Sequence, residues 1–200
     1  MLLISRNISS QVIDSLCEQA MEGNTGVACF YFDFAVKEEQ SLEAILGSVL
    51  KQVVGGLDEV PEKIVKAFRS RRKVIGGKRL QLDEIVGFLQ DMTSARRTFI
   101  CIDALDEYPA EHRRKLLDLL NQVLQNAPGA RLFLTGRSFI RDEVGEYLEE
   151  RVVIRLITPT KNDIITFLRA KLREDTMPHE MDKKLEGEII KYIPKTVSKM

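Results

Sequence analysis

Three acidic side chains follow a short apolar run in the middle of the sequence. Thr98 to Glu107 read TFICIDALDE, in which Phe99 to Ile102 are apolar and carboxylates follow at Asp103, Asp106 and Glu107. A continuous apolar run of this length predicts a strand that is buried on both faces of a parallel sheet. The carboxyl ends of such strands form the edge at which open α/β sheets bind ligands. We therefore expect the three acids to lie at a ligand-binding edge.

The types and spacing of these acids suit nucleotide hydrolysis. That reaction needs a magnesium ion near the β- and γ-phosphates and a group that orients the attacking water. Asp103, at the strand end, is the candidate for holding magnesium, directly or through water. Asp106 or Glu107, at the start of the next loop, is the candidate for polarising the water. A structural alternative stays open, because strands often end in turn-forming residues such as Asp.

A second strand ends in residues that complement these acids. The stretch LFLTGR at 132–137 is apolar up to Thr135 and then reaches Arg137. Because both strand ends lie on one edge of a parallel sheet, Thr135 is a candidate for contacting a phosphate or water, and Arg137 for neutralising phosphate charge. An arginine that caps a carbonyl or pairs with an acid is an equally good interpretation of Arg137.

Helical and strand patterns alternate along the chain. The apolar periodicities predict helices over 5–21, 41–55, 61–68, 81–95, 109–126, 139–149, 160–172 and 183–193. Ser41 is the predicted N-cap of the second of these helices, and its predicted apolar face is Leu42, Ile45, Leu46, Val49, Leu50 and Val53. Strands are predicted over 27–34, 98–103, 131–135 and 152–157. This alternation specifies an α/β fold, with a parallel sheet flanked by helices on both faces. We assign residues 1–172 to the core domain, and 173–200 to a linker and the start of a following helical region.

Composition narrows the possible partners. The 30 basic and 30 acidic residues balance, so a broad nucleic-acid surface is not expected, and an ATPase acting on DNA is a minor alternative. The basic run at 69–79 is interpreted as a solvated helix end and loop, with a contact to phosphate or to an acidic partner as the alternative. The three cysteines, none in CxxC spacing, are interpreted as buried small hydrophobes, and with two histidines they argue against a metal cluster. With no long apolar stretch, we expect a cytoplasmic protein without a membrane span.

Several of these stretches together resemble the NACHT-type P-loop NTPases, which belong to the STAND class of signal-transduction ATPases and occur in fungal multidomain proteins. The resemblance covers nearly all 200 residues, and its matching stretches are FYFDF at 30–34 with Gln40, FICIDALDEY at 99–108, LFLTGRSFIRDEV at 132–144 and DIITFL at 163–168. It implies a three-layer P-loop NTPase-like sandwich. Asp103 then matches the Walker B magnesium ligand, Asp106 and Glu107 the catalytic acids, and Arg137 the sensor arginine.

The resemblance also implies cofactors and partners. It points to a switch driven by ATP or GTP with Mg²⁺, whose nucleotide state controls homo-oligomerisation. The partners would be other domains of the parent chain, namely an upstream effector and downstream repeats.

One element of the resembling family is absent from the sequence. The phosphate loop GxxxxGK[ST] does not occur, because Gly76-Gly77-Lys78 is followed by Arg79 and has Arg72 where the first glycine belongs. In the resembling family, this loop and a central strand precede the first helix. In this sequence, the corresponding helix is predicted to begin within the first residues of the chain. We therefore expect a fragment that lacks its central strand, has weak or no affinity for nucleotide by itself and is prone to self-association through an open sheet edge. A truncated gene model and a true loss both stay open.

Two functions follow from these observations. The first is a nucleotide-binding switch domain, present as a fragment and inactive alone. The second is a non-catalytic, NTPase-like scaffold or protein-interaction module. Clustered acids at a strand end favour the switch, and the absent phosphate loop favours the scaffold, so the sequence leaves enzymatic activity undecided.

Overall fold

The three-dimensional description rests on a computed structural model. It describes residues 2–21, 23–32, 40–72, 80–148, 152–157, 160–173 and 182–197. Three features of the sequence lie outside these ranges: Asp33 in the FYFDF stretch, Gly76-Gly77-Lys78, and most of the predicted linker.

Three parallel strands form the described sheet in the order β1-β2-β3. They are β1 (Thr25–Tyr31), β2 (Arg97–Asp103) and β3 (Ala130–Leu134). Tyr31 lies opposite Asp103, and Ile102 lies opposite Leu134. The central strand β2 is hydrogen-bonded along both edges, which explains why its sequence is a continuous apolar run. The predicted α/β class with a parallel sheet is confirmed.

Helices flank the sheet. The helices up to residue 148 are α1 (Leu2–Met21), α2 (Leu42–Gly55), α3 (Glu62–Arg72), α4 (Leu82–Ala95), α5 (Ala110–Asn126) and α6 (Arg141–Leu148). Helix α1 packs on β1 and β2, whereas α2 packs on β1 and on α4, and α5 packs on α4 and α6. Ile45 of α2 and Leu89 of α4 join Ile100 of β2 in one fully buried apolar core.

Local sequence signals explain where α2 begins. The N–H of Ala44 donates to the Ser41 hydroxyl oxygen at 3.2 Å, so Ser41 caps the helix as predicted. The apolar side chains of α2 recur at three- and four-residue spacing and are buried, namely Leu42, Ile45, Leu46, Val49, Leu50 and Val53. The predicted cap and the predicted apolar face of α2 are both confirmed.

The predicted fourth strand is wrong. Residues 152–157 form no ladder with any described strand. Val153 and Leu156 are 81% and 69% exposed. An apolar run becomes a strand only when a neighbouring strand supplies backbone hydrogen bonds, and none of the described strands does so here.

The contacts divide the chain into two compact units, Met1–Ile154 and Arg155–Met200. In the second unit, α7 (Lys161–Arg173) packs against α8 (Lys183–Val197). Thr160 caps α7, because its hydroxyl accepts from the Asp163 N–H at 3.2 Å while the Asp163 carboxylate accepts from the Thr160 N–H at 2.8 Å. The predicted domain boundary after residue 172 stays a prediction.

The cysteines differ in their surroundings. Cys101 is buried in β2 and Cys29 is half-buried in β1, but Cys17 lies exposed on α1. The interpretation as buried small hydrophobes is therefore confirmed for Cys101 and wrong for Cys17. Burial raises the pKa of the Cys101 thiol to about 12, so this thiol is protonated at neutral pH.

None of the helices in the described ranges has both the length and the apolar character that crossing a membrane requires.

Candidate functional site

Asp103 is a buried carboxylate at the carboxyl end of the central strand, with 3% of its surface exposed. Its carbonyl oxygen accepts from the N–H of Phe32 at 3.1 Å, which extends the pairing with β1 beyond the last strand residue. Its carboxylate oxygen Oδ1 accepts hydrogen bonds from the hydroxyls of Ser9 on α1 and Thr135 after β3. Asp103 thus joins the sheet to α1 and to the neighbouring strand end.

Thr135 joins β3 to the residues that follow β2. Its N–H donates to the Ile102 carbonyl at 3.0 Å, and its own carbonyl accepts from the Leu105 N–H at 2.9 Å. Its hydroxyl oxygen accepts from the Ala104 N–H at 3.1 Å while the hydroxyl hydrogen goes to Asp103. The two strand ends therefore meet at one edge, as the sequence predicts for a parallel sheet.

The acids after Asp103 lie on a tight turn. Ala104 has φ 55° and ψ 43°, the left-handed conformation, and directs the chain into the 3-10 turn Leu105–Glu107. Residues other than glycine adopt this backbone conformation only at an energetic cost, so the surrounding contacts must stabilise it. We call residues 104–108 the acidic turn, because it places Asp106 and Glu107 directly after the strand end.

Arg137 pairs with Asp106. The Arg137 N–H donates to Asp106 Oδ1 at 3.1 Å, and its Nε lies 3.3 Å from Asp106 Oδ2. Half of the Arg137 side chain is exposed, whereas 6% of the Asp106 side chain is. Gly136 allows this close approach, since a Cβ there would lie 2.6 Å from Ile140 Cδ1 and 3.4 Å from Asp106 Oδ1. Of the two interpretations of Arg137, pairing with an acid describes its contacts in this structure.

Arg113, a buried arginine on α5, was not predicted to take part in the site. Its Nη1 donates to the Tyr108 carbonyl at 2.8 Å, and its Nη2 donates to Glu143 Oε2 at 2.6 Å. A signal was available: Arg113 stands three and four residues before Leu116 and Leu117, so it falls on the apolar face of its own helix. A charged residue at such a position is buried and needs a partner.

Ser9 and Tyr31 were also missed, and both lie beside Asp103. Ser9 is fully buried and precedes the buried Ile13 by four residues, so helical spacing places it on the inner face of α1. Tyr31 is the strand residue opposite Asp103. Burial and the neighbouring Cys29 raise the pKa of the Tyr31 hydroxyl to about 12, so it remains a proton donor at neutral pH.

Most of the residues that form this site lie in a part of the sequence that matches a known protein family. Residues 7–137 match the family described as nephrocystin 3, N-terminal. The chain belongs to the nephrocystin 3 N-terminal family. No curated protein and no solved structure matches it. The matched span of this nephrocystin 3 N-terminal chain includes Ser9, Asp103, the acidic turn, Thr135 and Arg137.

The oxygen-containing side chains around Asp103 are compatible with a magnesium ion whose other ligands are waters and phosphate oxygens. Within the described ranges, no group of three His, Cys, Asp or Glu side chains is arranged to hold a metal ion. Magnesium in nucleotide sites is usually bound by one or two carboxylates together with waters and phosphate oxygens, so a cluster is not required. In this nephrocystin 3 N-terminal chain, the Asp103 carboxylate and the hydroxyl oxygens of Ser9 and Thr135 are the groups that would supply the protein side of such a site.

Proposed function

We propose that this chain is the switch core of a NACHT-like NTPase of the STAND class and that, without a phosphate loop, it is inactive alone. One observation carries the proposal. Asp103 ends the central strand, and the neighbouring strand end supplies Thr135 and Arg137 to the same edge. Ligands of open α/β sheets bind at this edge. Membership of the nephrocystin 3 N-terminal family does not conflict with a NACHT-like assignment.

Each residue has a chemical role in the proposed switch. Asp103 would hold magnesium, which supplies positive charge to the β- and γ-phosphates of ATP or GTP. Asp106 or Glu107 would orient the attacking water. Thr135 would sense the phosphate or water, and Arg137 would neutralise phosphate charge after leaving Asp106. The contact between Arg137 and Asp106 would then describe the nucleotide-free arrangement.

A second function, a non-catalytic scaffold, is favoured by different observations. The sequence contains no GxxxxGK[ST], whose backbone N–H groups and Lys cradle the phosphates. The Asp106 oxygens are both engaged by Arg137. In a scaffold, these contacts would serve only to join the strand ends.

Nucleotide titration of the 200-residue chain tests the first half of the proposal. We expect no saturable binding of ATP or GTP at micromolar concentrations, with or without Mg²⁺, in isothermal titration calorimetry. Micromolar affinity would contradict the claim that the chain is inactive alone.

Substitution of the acids in a chain that contains a phosphate loop tests the second half. In the parent protein, Asp106→Asn together with Glu107→Gln should change the nucleotide-dependent oligomeric state, measured by light scattering. Lys66→Gln is the control, because Lys66 lies on α3 in an exposed pair with Glu62 and should have no effect. An oligomeric state that is indifferent to the acids would favour the scaffold.

A further inference from the structure

We infer that Arg113 is a positioning residue, whose buried guanidinium fixes the acidic turn and couples it to α6. The inference rests on the proposed function, since it concerns where Asp106 and Glu107 are held. Arg113 is 5% exposed, and its side chain contacts two segments at once. One is the backbone of the acidic turn, and the other is Glu143 in the first turn of α6.

The contacts of Arg113 divide between these two segments. Nη1 donates to the carbonyl oxygens of Tyr108 at 2.8 Å and Asp106 at 3.5 Å. Nε and Nη2 donate to Glu143 Oε2 at 3.1 Å and 2.6 Å. The planar guanidinium has five N–H donors in a fixed fork, so one arginine can hold both segments simultaneously.

The acidic turn needs such support. It begins with a left-handed Ala104, a conformation that persists only where the neighbouring structure determines it. Thr135 holds the beginning of the turn through the N–H groups of Ala104 and Leu105. Arg113 holds its end through the carbonyls of Asp106 and Tyr108. The turn is therefore fixed at both ends by residues from other elements.

The segment from Arg137 to Glu143 in α6 is connected to the acidic turn by two contacts. Arg137 pairs with the Asp106 side chain, and Glu143 reaches the Asp106 and Tyr108 carbonyls through Arg113. Glu143 Oε1 is buried and has no hydrogen-bond partner in the described structure; Arg114 Nε lies 3.9 Å from it. The hydrogen bonds of the Glu143 carboxylate to Arg113 thus all use Oε2. A displacement of α6 would therefore move the acids through Arg113.

Hydrogen–deuterium exchange on the 200-residue chain tests this coupling without any nucleotide. The variants are Arg113→Lys and Glu143→Gln, and the matched control is Arg169→Lys, an exposed arginine on α7. A lysine ammonium lacks the fork that joins carbonyls to Glu143. We expect the amides of residues 105–108 to exchange at least about tenfold faster in Arg113→Lys, the effect of losing a hydrogen bond to a charged group. Exchange in β1 and α2 should be unchanged.

The outcomes separate positioning from general stabilisation. Faster exchange confined to the turn supports the coupling, and Glu143→Gln should reproduce it more weakly, which keeps the test valid if Arg113→Lys does not fold. Unchanged exchange in the turn would overturn the coupling. An equal loss of protection in β1 and α2 would also overturn it, as would the same effect from Arg169→Lys.

A kinetic measurement separates this inference from the proposed function. In a parent chain that hydrolyses nucleotide, Arg113→Lys should lower kcat and leave KM unchanged, because the acids and not the phosphate contacts are displaced. A parallel rise in KM would overturn the positioning role. Absence of hydrolysis in every variant, wild type included, would count against the proposed function, whereas the exchange result would still decide the coupling.

Discussion

Thr135, the first residue after β3, donates its hydroxyl hydrogen to the buried carboxylate of Asp103, the last residue of β2. The same hydroxyl oxygen accepts from the Ala104 N–H at 3.1 Å, so one side chain satisfies groups on both sides of the strand end. This contact joins the two strands beyond the last bond of their ladder. It also fixes where the chain leaves β2 towards Asp106.

Removing the Thr135 hydroxyl should therefore destabilise the protein. Thr135→Val keeps the shape of the side chain but leaves the buried Asp103 carboxylate and the Ala104 N–H each without one partner. We expect the free energy of unfolding to fall by about 2 kcal/mol, as for other buried polar groups that lose a hydrogen bond. Urea denaturation followed by circular dichroism measures the change. Thr196→Val, at an exposed position on α8, should stay within about 0.5 kcal/mol of wild type. Equal effects of the two substitutions would contradict the assigned role.

The left-handed Ala104 gives a second stability prediction. Ala104→Gly removes the conformational cost of the folded state, about 1–2 kcal/mol. It also removes the buried methyl contacts and increases the conformational entropy of the unfolded chain, so we expect the free energy of unfolding to change by less than about 1 kcal/mol. Ala104→Val puts a β-branched side chain in the same conformation and should cost more than about 2 kcal/mol. Ala95→Val, at the exposed end of α4, is the control and should cost under about 1 kcal/mol. Thermal unfolding of the three variants gives the comparison, and a well-tolerated Ala104→Val would contradict the assigned backbone conformation.

Much of the fold could be predicted because its signals are local. The apolar run of β2 and the cap at Ser41 are properties of a few adjacent residues, and both were found. The meeting of Asp103 and Thr135 follows from topology alone, since parallel strands end on one edge.

What could not be predicted depends on distant parts of the chain. Residues 152–157 have the composition of a strand, but a strand requires a partner, and composition does not supply one. The φ of Ala104 has no sequence signal, because alanine rarely adopts it. Arg113 and Ser9 did have a signal, namely a polar residue at helical spacing with an apolar stripe, and this pattern identifies buried contacts that motif matching overlooks.

The start of α4 predicts a dependence of stability on pH. The Glu84 carboxylate accepts from the Gln81 N–H at 3.0 Å and also pairs with Arg71. The bond to the Gln81 backbone, and then the bond to Arg71, hold the pKa of Glu84 below its usual value of 4.5. Because the pKa is lower in the folded state, the stabilisation is present above the unfolded pKa and is lost as pH falls through the folded pKa.

The pH dependence can be assigned with two variants. Urea midpoints at pH 7, 5, 4 and 3.5 should fall less steeply with acid in Glu84→Gln than in wild type. Arg71→Met removes only the second cause of the lowered pKa, so its acid dependence should lie between the other two. An acid dependence in Glu84→Gln identical to that of wild type would show that Glu84 makes no contribution.

The contact between Arg137 and Asp106 should contribute little through its charge and more through its backbone bond. Half of the Arg137 side chain is exposed, so water screens the ion pair, and Arg137→Gln should change the free energy of unfolding by less than about 1 kcal/mol. Asp106→Ala removes a carboxylate, 6% exposed, that accepts from the Arg137 N–H and pairs with its guanidinium. We expect this substitution to lower the free energy of unfolding by about 1–3 kcal/mol. Urea denaturation at low and high salt measures both. High salt should remove most of the small effect of Arg137→Gln but should leave most of the effect of Asp106→Ala, which comes from the lost backbone bond. A larger loss for Arg137→Gln than for Asp106→Ala would mean that the guanidinium, and not the backbone bond, holds Asp106 in place.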